Sequence, residues 1–140
     1  MAIACVVAAI GVRYLCPRIP AIGEPIPFWA TPATSSIWTG REHLTYHTFE
    51  FRGAEFNLGS TNGAIVLIST GDPEFRTPEG ISVGSSLAQV LNVSSDELHL
   101  DSDGTDYVAT LPSGWLAVFW AKQDGTPPDN DAYLSGLMLE

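Results

Sequence analysis

The chain has 140 residues and a mass of 15.0 kDa, which is the size of one ordinary domain with its own core. Hydrophobic residues make up 45% of it and charged residues 16%, a composition typical of globular and not of disordered proteins. Six Lys and Arg against 16 Asp and Glu give a net charge of −10, which repels phosphate backbones and excludes nucleic acid as a partner.

Residues 1–16 open the chain with an apolar stretch in which residues 2–10 (AIACVVAAI) carry no charge. Its β-branched residues favour a buried strand, and a strand here would place the protein in the cytoplasm. The alternative is a vestigial or truncated targeting segment, although a basic start and a clean cleavage site are missing. No apolar run reaches the ~20 residues that a transmembrane helix needs.

The two cysteines, Cys5 and Cys16, both lie in this opening segment. Two thiols alone do not make a structural zinc site, and no Cys-x-x-Cys pair is present. They are either two buried apolar thiols or one disulfide that closes a short loop, and the disulfide would require an oxidising compartment.

Residues 17–36 hold five of the ten prolines, mixed with Ala, Thr and Ser. Proline removes hydrogen-bond donors and fixes φ, so the segment is expected to be extended and irregular. Phe28 and Trp29 need something to pack on, which predicts a strap that these two rings hold against the core.

From residue 37 the pattern becomes that of β-structure, and residues 37–140 are interpreted as the core of a single domain spanning 1–140. Residues 43–51 (HLTYHTFEF) alternate with the period of a strand. Asn62-Gly63 predicts a hairpin turn, and Pro112-Ser113-Gly114 predicts a second turn. The strands are expected at 43–51, 55–58, 64–70, 107–111, 115–122 and 133–139.

One short helix is predicted at about residues 85–92. Ser86 and Gln89 have the spacing of a capping box, and Leu87, Val90 and Leu91 fall on one face. Two turns do not persist alone in water, so the helix must dock on the sheet. The fold class is therefore α+β, mainly antiparallel sheet with one helix. The expected core comprises Ile65, Leu67, Ile81, Val83, Leu87, Val90, Leu91, Leu116 and Val118.

The segment from Thr77 to Ser86 (TPEGISVGSS), followed by a helix and further strands, carries a resemblance. Over residues 56–140 the chain resembles small bacterial extracytoplasmic domains, often lipoproteins of unassigned function. The resemblance implies a periplasmic or cell-surface binding or scaffolding domain, and it supplies no catalytic residues. The same segment also has a purely structural interpretation, in which Pro78 and Gly80 turn the chain and the serines cap the helix.

Two acidic clusters occur late in the chain, at residues 101–106 and 129–131. Asp101, Asp103 and Asp106 are candidate calcium ligands, because carboxylates at this spacing repel one another and a divalent cation would relieve the repulsion. The distal Glu of an EF-hand is missing, however, and Asp103-Gly104 fits a hairpin turn better. We therefore expect no bound metal, and we expect no cofactor.

Two function classes remain open. The first is a non-enzymatic binding domain for a protein or peptide partner. Its candidate contact residues are Trp29, Trp38, Trp115 and Trp120. The acidity of the chain suits an inhibitor or immunity protein that masks a basic partner. The second is a small hydrolase that uses His47 or His99 with a carboxylate. The sequence does not determine the oligomeric state.

Overall fold

The computed structural model of this chain describes residues 18–33, 44–101 and 104–140, together with the backbone of 6–7 and 14–15. These residues contain ten strands and one helix. In chain order they are β1 (Val6–Val7), β2 (Tyr14–Leu15), β3 (Thr31–Ala33), β4 (Thr45–Phe51), β5 (Ala54–Thr61), β6 (Ala64–Thr70), α1 (Leu87–Val93), β7 (His99–Leu100), β8 (Asp106–Thr110), β9 (Leu116–Trp120) and β10 (Gly136–Leu139).

Strands β3 to β10 form an eight-stranded antiparallel sheet, and the predicted α+β class with one short helix is confirmed. β1 and β2 pair separately, with Val6 opposite Leu15. The rest of residues 1–16 lies outside the described part of the chain, and so do both cysteines. The choice between a strand and a targeting segment stays open there. No helix among the described residues is both long and apolar enough to span a membrane.

The described residues divide into two compact units, residues 1–68 with Glu140 and residues 69–139. In the first unit the strands follow the order β3-β4-β5-β6. Phe49 lies directly opposite Phe56, and their rings stack with centroids 5.0 Å apart. Phe51 adds an edge contact to Phe56 at 6.4 Å. Aromatic pairs of this kind stabilise a sheet beyond the area that they bury, so these three rings form the centre of the unit.

The β4–β5 and β5–β6 hairpins each turn on two residues with positive φ. Asn62 and Gly63 have φ of 52° and 78°, which confirms the hairpin predicted from that dipeptide. Arg52 and Gly53 have φ of 50° and 81° and join β4 to β5 in the same way. Arginine is unusual in the left-handed region, and its guanidinium lies 5.1 Å from the centroid of the Phe51 ring.

The predicted Pro-rich strap is attached to this unit by hydrogen bonds and by one ring. The Gly23 N–H donates to the Ile65 carbonyl at 2.7 Å, and the Ile65 N–H donates to the Glu24 carbonyl at 2.8 Å. Trp29 packs edge-on against Phe49 at 5.5 Å, as expected. Phe28 is 80% exposed, and its predicted role in holding the strap stays a prediction. The strap ends in β3, an edge position in the order, where a proline is tolerated.

Gly59 lies in β5, where a Cβ would make closer contacts with the neighbouring side chains than side chains normally make. An added Cβ would lie 3.1 Å from Leu44 Cδ1 and 3.3 Å from Leu67 Cβ. Leu67 Cβ is fixed to the backbone and cannot rotate away. We therefore expect Gly59→Ala to lower the free energy of unfolding by about 1–3 kcal/mol, measured by urea denaturation. A neutral or stabilising result would contradict this close packing.

The second unit has the strand order β10-β9-β8-β7 and contains α1. The predicted capping box is confirmed: the Gln89 N–H donates to Ser86 Oγ at 3.2 Å, and the Ser86 N–H donates to Gln89 Oε1 at 2.9 Å. The Leu87 N–H donates to the Ala132 carbonyl at 2.9 Å, which ties the first turn of α1 to the segment before β10.

The predicted core is confirmed for six of nine residues, namely Ile65, Leu67, Ile81, Leu87, Val90 and Val118, all of which are buried. Val83 and Leu116 are only half-buried. Leu91 is 37% exposed, so its predicted burial is wrong. The physical reason is that a two-turn helix buries a narrow stripe, which Leu87 and Val90 occupy, and Leu91 lies at its margin.

Candidate functional site

The acidic residues are concentrated in the second unit. Of the 16 Asp and Glu residues, 11 lie in residues 69–139, and only Arg76 and Lys122 oppose them there, so this unit carries −9 of the net charge of −10. No Lys or Arg occurs between Arg76 and Lys122, a stretch that contains α1, β7, β8 and β9. We refer to residues 69–139 as the acidic unit.

The turn between β7 and β8 uses Asp101 as an internal hydrogen-bond acceptor. The Thr105 N–H donates to Asp101 Oδ1 at 3.0 Å, and the Asp106 N–H donates to the same oxygen at 3.4 Å. The Asp101 N–H donates in turn to the Asp106 carbonyl at 2.8 Å. These bonds are those of a side chain that stabilises a turn, which supports the hairpin interpretation of this cluster.

The calcium interpretation of the same cluster stays a prediction. Asp103 lies outside the described residues, and Asp101 and Asp106 are half-buried on either side of it. Within the described ranges, no three His, Cys, Asp or Glu side chains come together in a way that could hold a metal ion. The second cluster, at residues 129–131, belongs to a different loop.

That loop, between β9 and β10, contains the lone lysine of the acidic unit. Lys122 Nζ lies 2.8 Å from Asp129 Oδ1. The hydrogen bond that Lys122 donates to Asp129 raises the pKa of Lys122 in spite of partial desolvation, and the charges of Asp129, Asp124 and Asp131 raise it further. Asp124 accepts hydrogen bonds from the hydroxyl and the N–H of Thr126, which hold the pKa of its carboxyl below the usual range. The loop therefore presents a negative surface with its single cation already engaged.

The three candidate tryptophans that the structure describes fall in different environments. Trp115 is only 6% exposed and its ring centroid lies 5.0 Å from that of Phe75, so it is a core residue and leaves the set of candidate contacts. Trp29 packs on Phe49 as part of the strap. Trp38 lies outside the described residues. Trp120, at the end of β9, is 66% exposed and is the candidate that the structure places at the surface of the acidic unit.

Trp120 is paired in register with Asp106 of β8. The Asp106 carbonyl accepts from the N–H of Asp101, the residue that follows β7, and so points away from β9. Asp106 and Trp120 are therefore a non-hydrogen-bonded pair. Side chains of such pairs lie on the same face and close together. An exposed indole beside a carboxylate is a combination that recognises cationic side chains.

Of the two histidines proposed for a His–carboxylate pair, His99 lies near the carboxylate of Asp96. His99 Nδ1 lies 3.6 Å from Asp96 Oδ2 and 3.0 Å from the Glu97 carbonyl. Asp96 also accepts from the Thr110 N–H at 2.6 Å and from the Thr110 hydroxyl at 3.0 Å. Both side chains are more than a third exposed. The Asp96 carboxylate therefore binds the last residue of β8, and the His99 imidazole lies next to it.

His47 is the second histidine proposed for this pair, and it lies in β4. Its Nδ1 is buried without a hydrogen-bond partner among the described residues, and it faces Leu58 across the ladder. The structure therefore does not bring His47 together with a carboxylate in the described part of the chain.

Glu79 is an acidic residue that the sequence analysis did not single out. Its Oε1 accepts from the Ser113 hydroxyl at 2.7 Å and its Oε2 from the Ser113 N–H at 2.9 Å. Burial opposes ionisation, but these hydrogen bonds and one from the Thr77 hydroxyl outweigh it and hold the pKa of Glu79 below its ordinary value of 4.5. The carboxylate thereby ties the loop at residues 77–80 to the turn between β8 and β9.

We expect Glu79→Gln to lower the free energy of unfolding by about 1 kcal/mol at neutral pH, because the amide offers only one acceptor to two donors. Folding lowers the pKa of Glu79, so its ionised carboxylate stabilises the folded protein. This contribution to the free energy of unfolding is complete above about pH 4.5 and is lost as the pH falls through the lowered pKa of the folded state. Urea titrations at several pH values test this. Glu74→Gln removes the same charge without touching Ser113, and an identical pH profile for both variants would contradict the assignment.

Comparisons with protein-family models, with curated proteins and with solved structures find no match to this chain. The resemblance of residues 56–140 to small extracytoplasmic domains therefore stays an expectation. The candidate site is defined by its own features, which are the charge of the acidic unit, the exposed Trp120 and the acidic loop around Lys122.

Proposed function

We propose that this chain is a non-enzymatic binding domain for a cationic protein or peptide, of the kind found in acidic inhibitor and immunity proteins. The observation that carries the proposal is the charge of the acidic unit, −9 within residues 69–139. Charge of one sign on one part of a protein raises the association rate with an oppositely charged partner and repels others. A periplasmic or cell-surface location, as the resemblance implies, belongs to the same proposal.

Two local features support a protein partner in particular. Trp120 supplies an exposed aromatic surface of the type enriched in protein interfaces. The loop carboxylates Asp124, Asp129 and Asp131 surround Lys122, so its single cation does not cancel their field. Arginine and lysine side chains of a partner would meet both a π-face and carboxylates.

The experiment is capture of a partner from an extract of the native host, followed by kinetics with the purified partner. We expect it to be basic and its association to slow as salt is added. Asp124→Asn/Asp129→Asn/Asp131→Asn should reduce the association rate about 10-fold. The matched control is Glu50→Gln/Glu55→Gln/Glu140→Gln, which removes the same charge from the other unit. Equal effects of both triple variants, or salt-independent association, would contradict the proposal.

The contact between His99 and Asp96 is the observation that favours the alternative function, a small hydrolase. In that case the imidazole would act as a general base that the carboxylate orients. The test is hydrolysis of p-nitrophenyl acetate by the wild type and by His99→Ala. Turnover that His99→Ala abolishes, with an unchanged melting temperature, would establish the hydrolase and displace the binding proposal.

A further inference from the structure

β7 stands at the end of the strand order β10-β9-β8-β7 in the acidic unit. It pairs with β8 on one side, with His99 opposite Val108 and Leu100 opposite Tyr107. A terminal strand presents backbone N–H and C=O groups on its outer side, and these are a template for an additional strand.

The register shows which backbone groups point outward. The Asp101 N–H donates to the Asp106 carbonyl, so these two residues form a hydrogen-bonded pair. Pairs alternate along an antiparallel ladder, and His99–Val108 is therefore also hydrogen-bonded whereas Leu100–Tyr107 is not. The N–H and C=O of Leu100 consequently point away from β8, towards the outer side of β7.

The open edge is confined to β7 because the next part of β8 is already covered. The Thr110 carbonyl accepts from the Ser95 N–H at 2.7 Å, and the Thr110 N–H donates to Asp96 Oδ1 at 2.6 Å. The segment before β7 thus satisfies the backbone of β8 at this point. Within the described ranges, the edge that remains for docking is centred on Leu100, whose side chain is 47% exposed.

Charge determines which partner this edge fits. Exposed edges are often protected by lysine, yet no Lys or Arg occurs between Arg76 and Lys122. Asp96, Glu97 and Asp101 flank the edge instead. A second copy of the chain would bring two units of charge −9 together, so repulsion disfavours pairing between copies. An extended cationic segment would instead be attracted by these carboxylates.

We propose that the outer edge of β7 binds an extended cationic segment of the partner protein by strand addition, with the N–H and C=O of Leu100 as the central backbone contact. This inference rests on the proposed function, since it specifies how the cationic partner is held. Backbone hydrogen bonds supply the pairing, and the carboxylates select for basic side chains.

The probe is the peptide acetyl-Arg-Val-Arg-Val-Arg-Val-Arg-amide, with acetyl-Glu-Val-Glu-Val-Glu-Val-Glu-amide as the charge control. Only the basic peptide is expected to bind, and at saturation it should slow hydrogen exchange of the Leu100 amide about 10-fold, measured by NMR. This readout uses the wild-type chain and needs no variant.

Leu100→Pro removes the outward N–H without removing a ladder hydrogen bond, and an edge position of this orientation tolerates proline. We expect this variant to weaken binding about 10-fold, whereas Leu100→Ala keeps the N–H and stays within about 3-fold of wild type. Tyr133→Ala, at another exposed aromatic residue of the acidic unit, is the control and should bind like the wild type.

Binding of the basic peptide with unchanged hydrogen exchange of the Leu100 amide would overturn strand addition at β7. The proposed function is tested separately, by the effect of the two triple charge variants on the association rate with the partner. Absence of any binding by the basic peptide would also overturn the edge proposal. Slower hydrogen exchange of the Leu100 amide, together with weaker peptide binding by Leu100→Pro, supports strand addition at β7. Should Leu100→Pro fail to fold, the exchange measurement on the wild type decides.

Discussion

Phe56→Ala is expected to lower the free energy of unfolding by about 3–5 kcal/mol, the range for emptying a large aromatic site in a core. Phe56 is fully buried, stacks on Phe49 at 5.0 Å and meets the edge of Phe51 at 6.4 Å. The substitution therefore removes two ring contacts and leaves a cavity at the centre of the first unit. Urea denaturation followed by tryptophan fluorescence provides the measurement.

The matched control is Phe28→Ala, the same substitution at a ring that is largely exposed. It should cost much less, because little area leaves water at this position on folding. A loss below about 1 kcal/mol for Phe56→Ala, or equal losses for both variants, would show that the aromatic cluster is not the centre of this unit.

Leu87→Ala is expected to cost about 2–5 kcal/mol. Leu87 is 2% exposed and opens α1, and its N–H is bonded to the Ala132 carbonyl. A helix of two turns depends on such packing, because its own hydrogen bonds do not compensate for the entropy of nucleation. The variant should therefore loosen the whole helix, which circular dichroism and chemical denaturation would both detect.

Leu91→Ala in the same helix serves as the control, because Leu91 lies at the exposed margin of the buried stripe. We expect a cost of less than about 1 kcal/mol there, since alanine also has the higher helix propensity. Should Leu87→Ala cost less than about half a kcal/mol, α1 is not docked as described.

Local sequence chemistry explains which elements could be predicted. Asn62-Gly63 readily adopts positive φ, and Ser86 with Gln89 satisfies backbone donors within one turn of helix. Both features depend only on neighbours along the chain, and both are confirmed. The connection at Arg52-Gly53 lies between the strands expected at 43–51 and 55–58, but its type could not be predicted because arginine does not favour the left-handed region that it adopts there.

The candidate site was less accessible to prediction, because it depends on contacts between distant residues. Nothing in the sequence around Trp115 and Trp120 shows that one ring meets Phe75 in the core while the other remains exposed. Likewise, the net charge of −10 follows from the sequence alone. That most of this charge belongs to one compact unit becomes visible only when the structure places the boundary between the units at residue 69. The outward direction of the Leu100 backbone follows only from the register of β7 with β8.

The strand order within each unit has a kinetic consequence. In the first unit β3, β4, β5 and β6 are hydrogen-bonded in chain order, and in the second unit β7, β8, β9 and β10 follow the same rule. Each of these strands therefore has a neighbour in the sheet that comes directly before or after it in the chain, and the shortest connections, at Arg52-Gly53 and Asn62-Gly63, close over only two residues. During synthesis each hairpin can form as soon as its second strand leaves the ribosome, which shortens the time that unpaired edges are exposed to other chains.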